Sequence, residues 1–437
     1  MTKCTASGLE FPRCQGRRVQ ADFSGGAITS DGGVVLLRPV DQRLGLTARL
    51  AKTVPDRRDP ARGDHRLQDV LRQRMYGLAL GDEDRNDHQA LRQDLAVQTA
   101  VDRDAPLARP ATLWRWENRA SRAVAWTLHE VLVEQLIASC SQPPTELIRE
   151  FDATDDPVPG HQEQRFFHGY YDHYCFLPWY VFCGEHRLVS DLRPRNIDGA
   201  PHAWAILGLL VKRLPQAWPS VRIILRAASG FCRWRMLQWC DRHPVGYLIG
   251  VAQNRRLNAL AQPRLAHAAH RSQLSHGKPR FFSEVSYAAA TWDRSRRVLI
   301  QAEYGPKGSN RRYGVTNLPG KPQVLYRARY CARGDMETRI KEPQLALFAD
   351  RTSCHAWWPN QFRLRLSSGA YRLVTALPRL GLGGTAWATA DVGTRRLKLL
   401  KIGAVVLRNT RPIRLLLASH YPYQDLFLAI IARLCPD

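Results

Sequence analysis

The chain has 437 residues, with 64 Lys or Arg against 39 Asp or Glu, a formal charge of +25. A hydrophobic share of 44% is enough to build a core and excludes a disordered chain. So large a positive excess calls for a polyanionic partner. Its arginine bias points to phosphate, which the guanidinium fork grips better than an ammonium does. Nucleic acid is therefore the leading partner, and the plain alternative is a genome-wide bias that enriches arginine. No stretch reaches membrane-spanning length, and the opening MTKCTASGLEFPRCQGRR lacks the apolar middle of a secretion signal. Ten cysteines without a CxxC pair argue against a zinc ribbon or a disulfide framework. Cys175, Cys183, Cys232 and Cys240 sit in apolar runs and read as reduced core residues. The expected compartment is the cytoplasm.

In chain order, residues 1–25 read as loosely ordered. Ile28 to about Ser141 reads as mainly helical, with apolar residues at helical spacing over Asp64–Leu80 and Ala123–Ala138 and with Thr112 as an N-cap. Pro143 and Pro144 mark a boundary. Glu146–Phe151 is then a strand ending at Asp152, and Tyr170–Phe182 with His186–Leu192 a hairpin. Ala200–Leu214 is an amphipathic helix, Val221–Leu225 a buried strand, Phe231–Cys240 a helix and Tyr247–Val251 a strand. The order of three strands, helix, strand, helix, strand predicts an α/β fold: a ribonuclease-H-like mixed sheet flanked by helices. Strands at Arg280–Tyr287, Arg296–Ala302 and Arg312–Val315, joined by Gly, Ser and Asn turns, make 255–325 a β-rich insertion. Helix returns from Ala332 to about Arg351, and strands follow around Ala404–Leu407 and Ile413–Leu417. The expected domains are a mainly helical DNA-binding and assembly region (1–143), a first part of the catalytic core (144–254), the insertion (255–325), and the rest of the core with the C-terminal region (326–437).

Two-metal phosphoryl transfer needs carboxylates that converge on two hard cations about 3.5–4 Å apart. Neighbouring strand ends can supply two acids and a helix beside the sheet a third. Asp152 ends the first strand, position 228 follows the fourth, and Glu337 lies on the helix after the insertion. In YCARGDMETRIKE, Tyr330, Arg333, Glu337 and Lys341 are spaced three, four and four apart. They share one face if the helix reaches back to Tyr330. An acid among two cations and a phenol suits phosphate chemistry, and an ordinary salt-bridged surface helix is the plain alternative.

Taken together, these segments resemble the DDE transposases of bacterial insertion sequences, in particular the group-1 DDE domain with a β-strand insertion. The resemblance covers nearly the whole chain. ITSDGGVVLLR and GDEDRNDHQALRQD are similar to that group's leading segment, and FDATDDPVPGHQE to its first catalytic block. FHGYYDHYCFLPWYVFCG and LRPRNIDGA are similar to the hairpin and loop that follow. RAASGF resembles the second block, worded Arg-Ala-Asp-Ser-Gly-Phe in the family, and YCARGDMETRIKE the third. The resemblance implies Asp152 and Glu337 as metal carboxylates, Tyr330, Arg333 and Lys341 as phosphate-contacting helpers, and Mg²⁺ or Mn²⁺ as cofactor. It further implies binding of terminal inverted repeats and of target DNA, strand cleavage that exposes a 3′-hydroxyl, strand transfer, and a homodimer holding two DNA ends. The departure is Ala228, which stands where the family has its second acid; a methyl cannot ligate a cation, so the chemistry should be impaired. Three explanations stand open: a substitution made to trap a DNA complex, a decayed or repurposed copy, and rescue by Asp155, Asp156 or Asp241. An inactive DNA-binding relic or repressor is the alternative function, and a nuclease acting on RNA–DNA hybrids a third.

Further candidates for DNA contact are Trp292 beside Arg296 and Arg297, where an aromatic among arginines can stack on an unpaired base, and the basic stretch Arg395, Arg396, Lys398 and Lys401. Core packing is the plain reading of Trp292 and a solvated basic face that of the arginines. Asp82, Glu83, Asp84 and Asp87 lack the spacing of an oxygen-ligand loop. His161, His168 and His173 lack a fourth zinc ligand. Pro343 should kink the helix beyond Glu337 and Lys341.

Overall fold

The computed structural model describes residues 9–56, 58–59, 63–169, 172–193, 203–275, 277–383 and 385–436. It begins with a two-stranded antiparallel ribbon, β1 (Leu9–Cys14) and β2 (Arg17–Ala21), exposed throughout. This stretch was expected to be loosely ordered. A short β3 (Ile28–Thr29) leads into the helices α1 (Leu37–Leu44), α2 (Leu46–Thr53), α3 (Leu67–Leu80), α4 (His88–Leu91), α5 (Leu95–Val101), α6 (Pro110–Glu117) and α7 (Arg122–Ser139). Helix α6 starts at Pro110, whose missing N–H costs nothing in a first turn, so Thr112 lies inside the helix and is not its cap.

The next strands are β4 (Glu146–Ala153), β5 (Asp156–Pro157), β6 (Phe166–His168), β7 (His173–Phe176), β8 (Trp179–Cys183) and β9 (His186–Asp191). Within LRPRNIDGA, residues from Pro194 onward lie outside the described residues, as do Tyr170 and Ala200 of the predicted elements. Helix α8 (Ala203–Ala217), β10 (Arg222–Ala227), α9 (Trp234–Arg242) and β11 (Val245–Val251) complete the predicted alternation. Helix α10 (Arg255–Ser275) then precedes β12 (Arg280–Tyr287), β13 (Arg296–Gly305) and β14 (Gly308–Thr316). A short α11 (Pro322–Val324), a π-helical turn Leu325–Tyr330 and a 3₁₀ turn Cys331–Arg333 run on into α12 (Gly334–Leu347). The chain ends with α13 (Trp357–Leu377), α14 (Val392–Arg395), β15 (Ala404–Arg408), β16 (Ile413–Leu417) and α15 (Gln424–Leu434).

Contacts divide the chain into two compact units. One is built from residues 1–51, 56–114 and 373–437, and the other from 52–55 and 115–372. Helix α7 therefore belongs with the sheet that follows it, and residues 373–437 with the N-terminal helices. In the first unit, β3 pairs with β15 and β15 with β16.

The second unit is organised around an eight-stranded sheet in the order β12-β13-β14-β11-β10-β4-β8-β9. Strands β4, β10 and β11 run parallel, while β8 is antiparallel to β4 and β9 to β8. The five strands from β9 to β11 have the ribonuclease-H-like order. The strands expected as an insertion continue this sheet, because β14 pairs antiparallel with β11 over Leu248–Val251. Residues of β4 alternate between faces. Leu147 and Phe151 enter one core with Trp179, Val181, Leu207, Leu225 and Ile249. Ile148 faces the other, built on Ile224, Leu248, Leu299 and Tyr326. By this alternation Glu150 and Asp152 stand on the Ile148 face, as does Arg226 on β10. Ala228 follows the end of β10 and packs against the Phe151 core. Among the described residues no helix is long and apolar enough to cross a membrane.

Candidate active site

Register fixes the first two positions. Arg222 lies opposite Glu146, Arg226 opposite Glu150 and Ala227 opposite Phe151. One step further, Asp152 and Ala228 are neighbours at the carboxyl ends of parallel strands, where ligands of open α/β sheets gather. Below them is a charged ladder. Arg226 ion-pairs with Glu150, both almost fully buried. Arg226 also donates to the Arg329 carbonyl and, at 3.5 Å, to that of Ala332. Arg329 reaches Glu146 at 2.9 Å and Arg339 approaches Glu150 at 3.9 Å. Strand acids and helix arginines thus dock the segment from Leu325 to Leu347 on the sheet and set the height of Glu337.

Arg333 spans the two acids. Its Nη1 lies 3.5 Å from Asp152 Oδ2 and its Nη2 3.3 Å from Glu337 Oε1. The Asp152 backbone is fixed in the strand, and its Oδ1 accepts from the Ala153 amide at 3.0 Å. Burial raises the Asp152 carboxyl above the usual carboxylate range, and the nearby charge of Glu337 adds to this, against the pull of Arg333 and of the Ala153 amide. Glu337 is exposed, with 60% of its side-chain surface open. Burial also raises the Tyr330 hydroxyl. A Cβ on Gly250 would collide with that hydroxyl. Lys341, one turn beyond Glu337, is exposed. Pro343 lies inside α12 without ending it, and the helix runs on to Leu347.

A cleft of about 460 Å³ opens beside these groups, lined among others by Gly250, Gln253, Arg311, Arg312, Tyr330, Arg333 and Glu337. The donor set can be tested against the cations that the chemistry calls for. Two carboxylates gather around one guanidinium charge, so a single divalent cation shared by Asp152 and Glu337 fits. A second cation lacks its donor, because Ala228 offers a methyl. Among the described residues no group of three or more His, Cys, Asp or Glu is placed to hold a metal ion.

The remaining sequence candidates fall elsewhere. Trp292 is half-buried against the core, edge-on to Tyr287 with centroids 5.6 Å apart. Arg296 was expected on a phosphate track, but it is 5% exposed and bound to Asp241 and Asp293, each at 2.8 Å. A guanidinium buried in this way satisfies two carboxylates and forms part of the core. Arg297 binds Glu284 and the carbonyls of Leu318 and Gly320. Arg395 is 8% exposed. Arg396 donates to the Ala79 carbonyl at 2.8 Å, Lys398 lies 5.0 Å from the Tyr423 ring centroid, and Lys401 pairs with Asp31 at 2.6 Å. Asp155 pairs with His173 at 3.3 Å, and Asp156 is fully buried. Asp241 is held by Arg294 and Arg296. His161 contacts Arg165 at 2.8 Å. Sequence reasoning missed Glu150, Arg226, Gly250, Arg311 and Arg312. The parity of β4, β10 and β14 was the available signal.

A mixed sheet of ribonuclease-H-like order, with one acid at the end of a parallel strand and another on an adjoining helix, is the framework of a DNA-processing enzyme class. The chain belongs to the transposase DDE domain group 1 family, whose profile matches residues 11–436; members generally use divalent metal ions. No curated protein sequence matches the chain. Among solved structures it is similar to one described as a piggyBac transposase synaptic complex with hairpin DNA, at 9% identity and a TM-score of 0.41, over 85% of this chain and 79% of that one.

Proposed function

We propose that this transposase binds the terminal inverted repeats of an insertion sequence, pairs two ends as a homodimer, and is impaired in strand cleavage and transfer by Ala228. The observation that carries the reading is the grouping of Asp152, Arg333 and Glu337 beside position 228 at one end of the sheet. Asp152 and Glu337 are the residues to hold Mg²⁺ or Mn²⁺, which when bound would polarise the attacked phosphate and lower the pKa of the attacking water or hydroxyl. Arg333 and Lys341 serve as phosphate contacts, with the Tyr330 hydroxyl beside them. Arg333 leaves its place between the acids to do so. Trp292, Arg297 and Lys398 are secondary candidates for DNA contact, whereas Arg296, Arg395, Arg396 and Lys401 shape the scaffold. The setting is cytoplasmic, on the DNA of the host cell.

Ala228 also favours a second reading, a DNA-binding relic or repressor of transposition. Cleavage of terminal-repeat DNA by the Ala228→Asp protein with Mg²⁺ separates the two. Activity on restoring the acid supports the impaired transposase, and its continued absence with intact DNA binding supports the relic. Cleavage at full rate by the chain as it stands would overturn the role given to position 228.

A further inference from the structure

One row of the sheet, read across four strands from Asp152, carries small residues. Asp152 on β4 and Ala228 on β10 are followed on β11 by Gly250, one step beyond the Ala227–Ile249 pair. Gly250 in turn pairs with Gly314 on β14. Beyond the acid, the row carries one methyl and two hydrogens. Of this row, Gly250 lines the cleft, covered by the Tyr330 hydroxyl and near Arg333.

Arg312 lines the same cleft from β14. It precedes Gly314 by two residues on β14, so its side chain emerges on the same face. It is exposed and lines the cleft with Tyr330, Arg333 and Glu337. Its guanidinium forms no ion pair or hydrogen bond with any described residue. Arg333, which lines the same cleft, is by contrast committed to Asp152 and Glu337. Three strand spacings separate β4 from β14, roughly 14 Å. Arg312 is therefore set to meet a different phosphate from the one held between Asp152 and Glu337.

We propose that Arg312 binds a backbone phosphate of the DNA strand that lies in this cleft, flanking the phosphate at the acids. Arg312 then fixes the direction of that strand away from Asp152. The assignment rests on the chain handling DNA, as proposed above.

The test uses the full chain and a short mixed-sequence duplex. Arginine modification by p-hydroxyphenylglyoxal, read by peptide mass spectrometry, should label Arg312 in the free protein and lose most of that label in the saturated complex. In titrations at several salt concentrations, Arg312→Ala should lower the slope of log affinity against log salt by about 1, and Arg312→Lys should keep it. A mere structural role would not move that slope. If the chain binds the duplex while Arg312 stays fully reactive, or the slope is unchanged, this inference fails and the DNA-handling reading stands. If the chain binds neither this duplex nor terminal-repeat DNA, both fail.

Discussion

Asp152 and Ala228 each follow by one residue the Phe151–Ala227 pair of two adjacent parallel strands. A carboxylate introduced at 228 would therefore be added at the same end of the sheet as Asp152. Ala228→Asp is expected to raise Mn²⁺ affinity by about tenfold or more, the scale on which metal sites respond to ligand changes. Electron paramagnetic resonance of free Mn²⁺ measures this. Equal affinity in both proteins would show that the two positions do not share a cation.

Breaking the buried pair beneath the site should be costly. Arg226→Met leaves the Glu150 carboxylate in the interior, with Arg339 at 3.9 Å. A loss of about 3–5 kcal/mol is expected. The double variant Arg226→Met/Glu150→Met removes both charges and should recover much of it. Urea denaturation reads both, and a double variant no better than the single one would refute the pairing argument.

Arg149 poses the opposite case. Its side chain is fully buried on β4, and no carboxylate among the described residues pairs with it. Burial pulls its pKa down, and the thiols of Cys183 and Cys140 are the groups that oppose this. Replacing an uncompensated buried charge by an apolar side chain of similar length should stabilise the fold. Arg149→Met is expected to gain about 1–4 kcal/mol, seen as a rise in the urea midpoint. A clear loss would mean that the guanidinium has an anionic partner.

Asp82 carries a pH dependence. Burial raises its carboxyl from 3.8 to about 6, while Lys401 holds it back. An acid raised on folding binds its proton more tightly in the native state. It therefore costs nothing below about pH 4, and stability falls as pH climbs toward 6. Asp82→Asn should raise stability above pH 6, by on the order of 1 kcal/mol after allowance for solvent screening, and leave it unchanged at pH 4. Thermal melts across that range check the sign.

Much of the core was legible because its strands are short apolar runs, and β4, β10 and β11 fall within two residues of their predicted bounds. Positions 152, 228 and 337 were proposed from strand ends and from an acid amid basic residues, which are local patterns. Nonlocal pairing was not legible. Nothing in Gly308–Thr316 announces β11 as its neighbour, so the last strands read as an insertion and not as more of one sheet. Arg296 reads as a surface cation because its partner Asp241 lies 55 residues away. Helix α10 was hidden by Pro263 and by a polar, weakly periodic sequence.

The compact unit formed by residues 1–51, 56–114 and 373–437 is assembled from both flanks of the chain. Its early helices leave the ribosome long before residues 373–437 exist. At ordinary elongation rates the delay is on the order of tens of seconds. The intervening sheet can fold meanwhile, but the flanking unit must wait. A truncated or stalled product would keep the candidate site and lose the closing segment of the other unit, making completion of translation a condition for a fully assembled molecule.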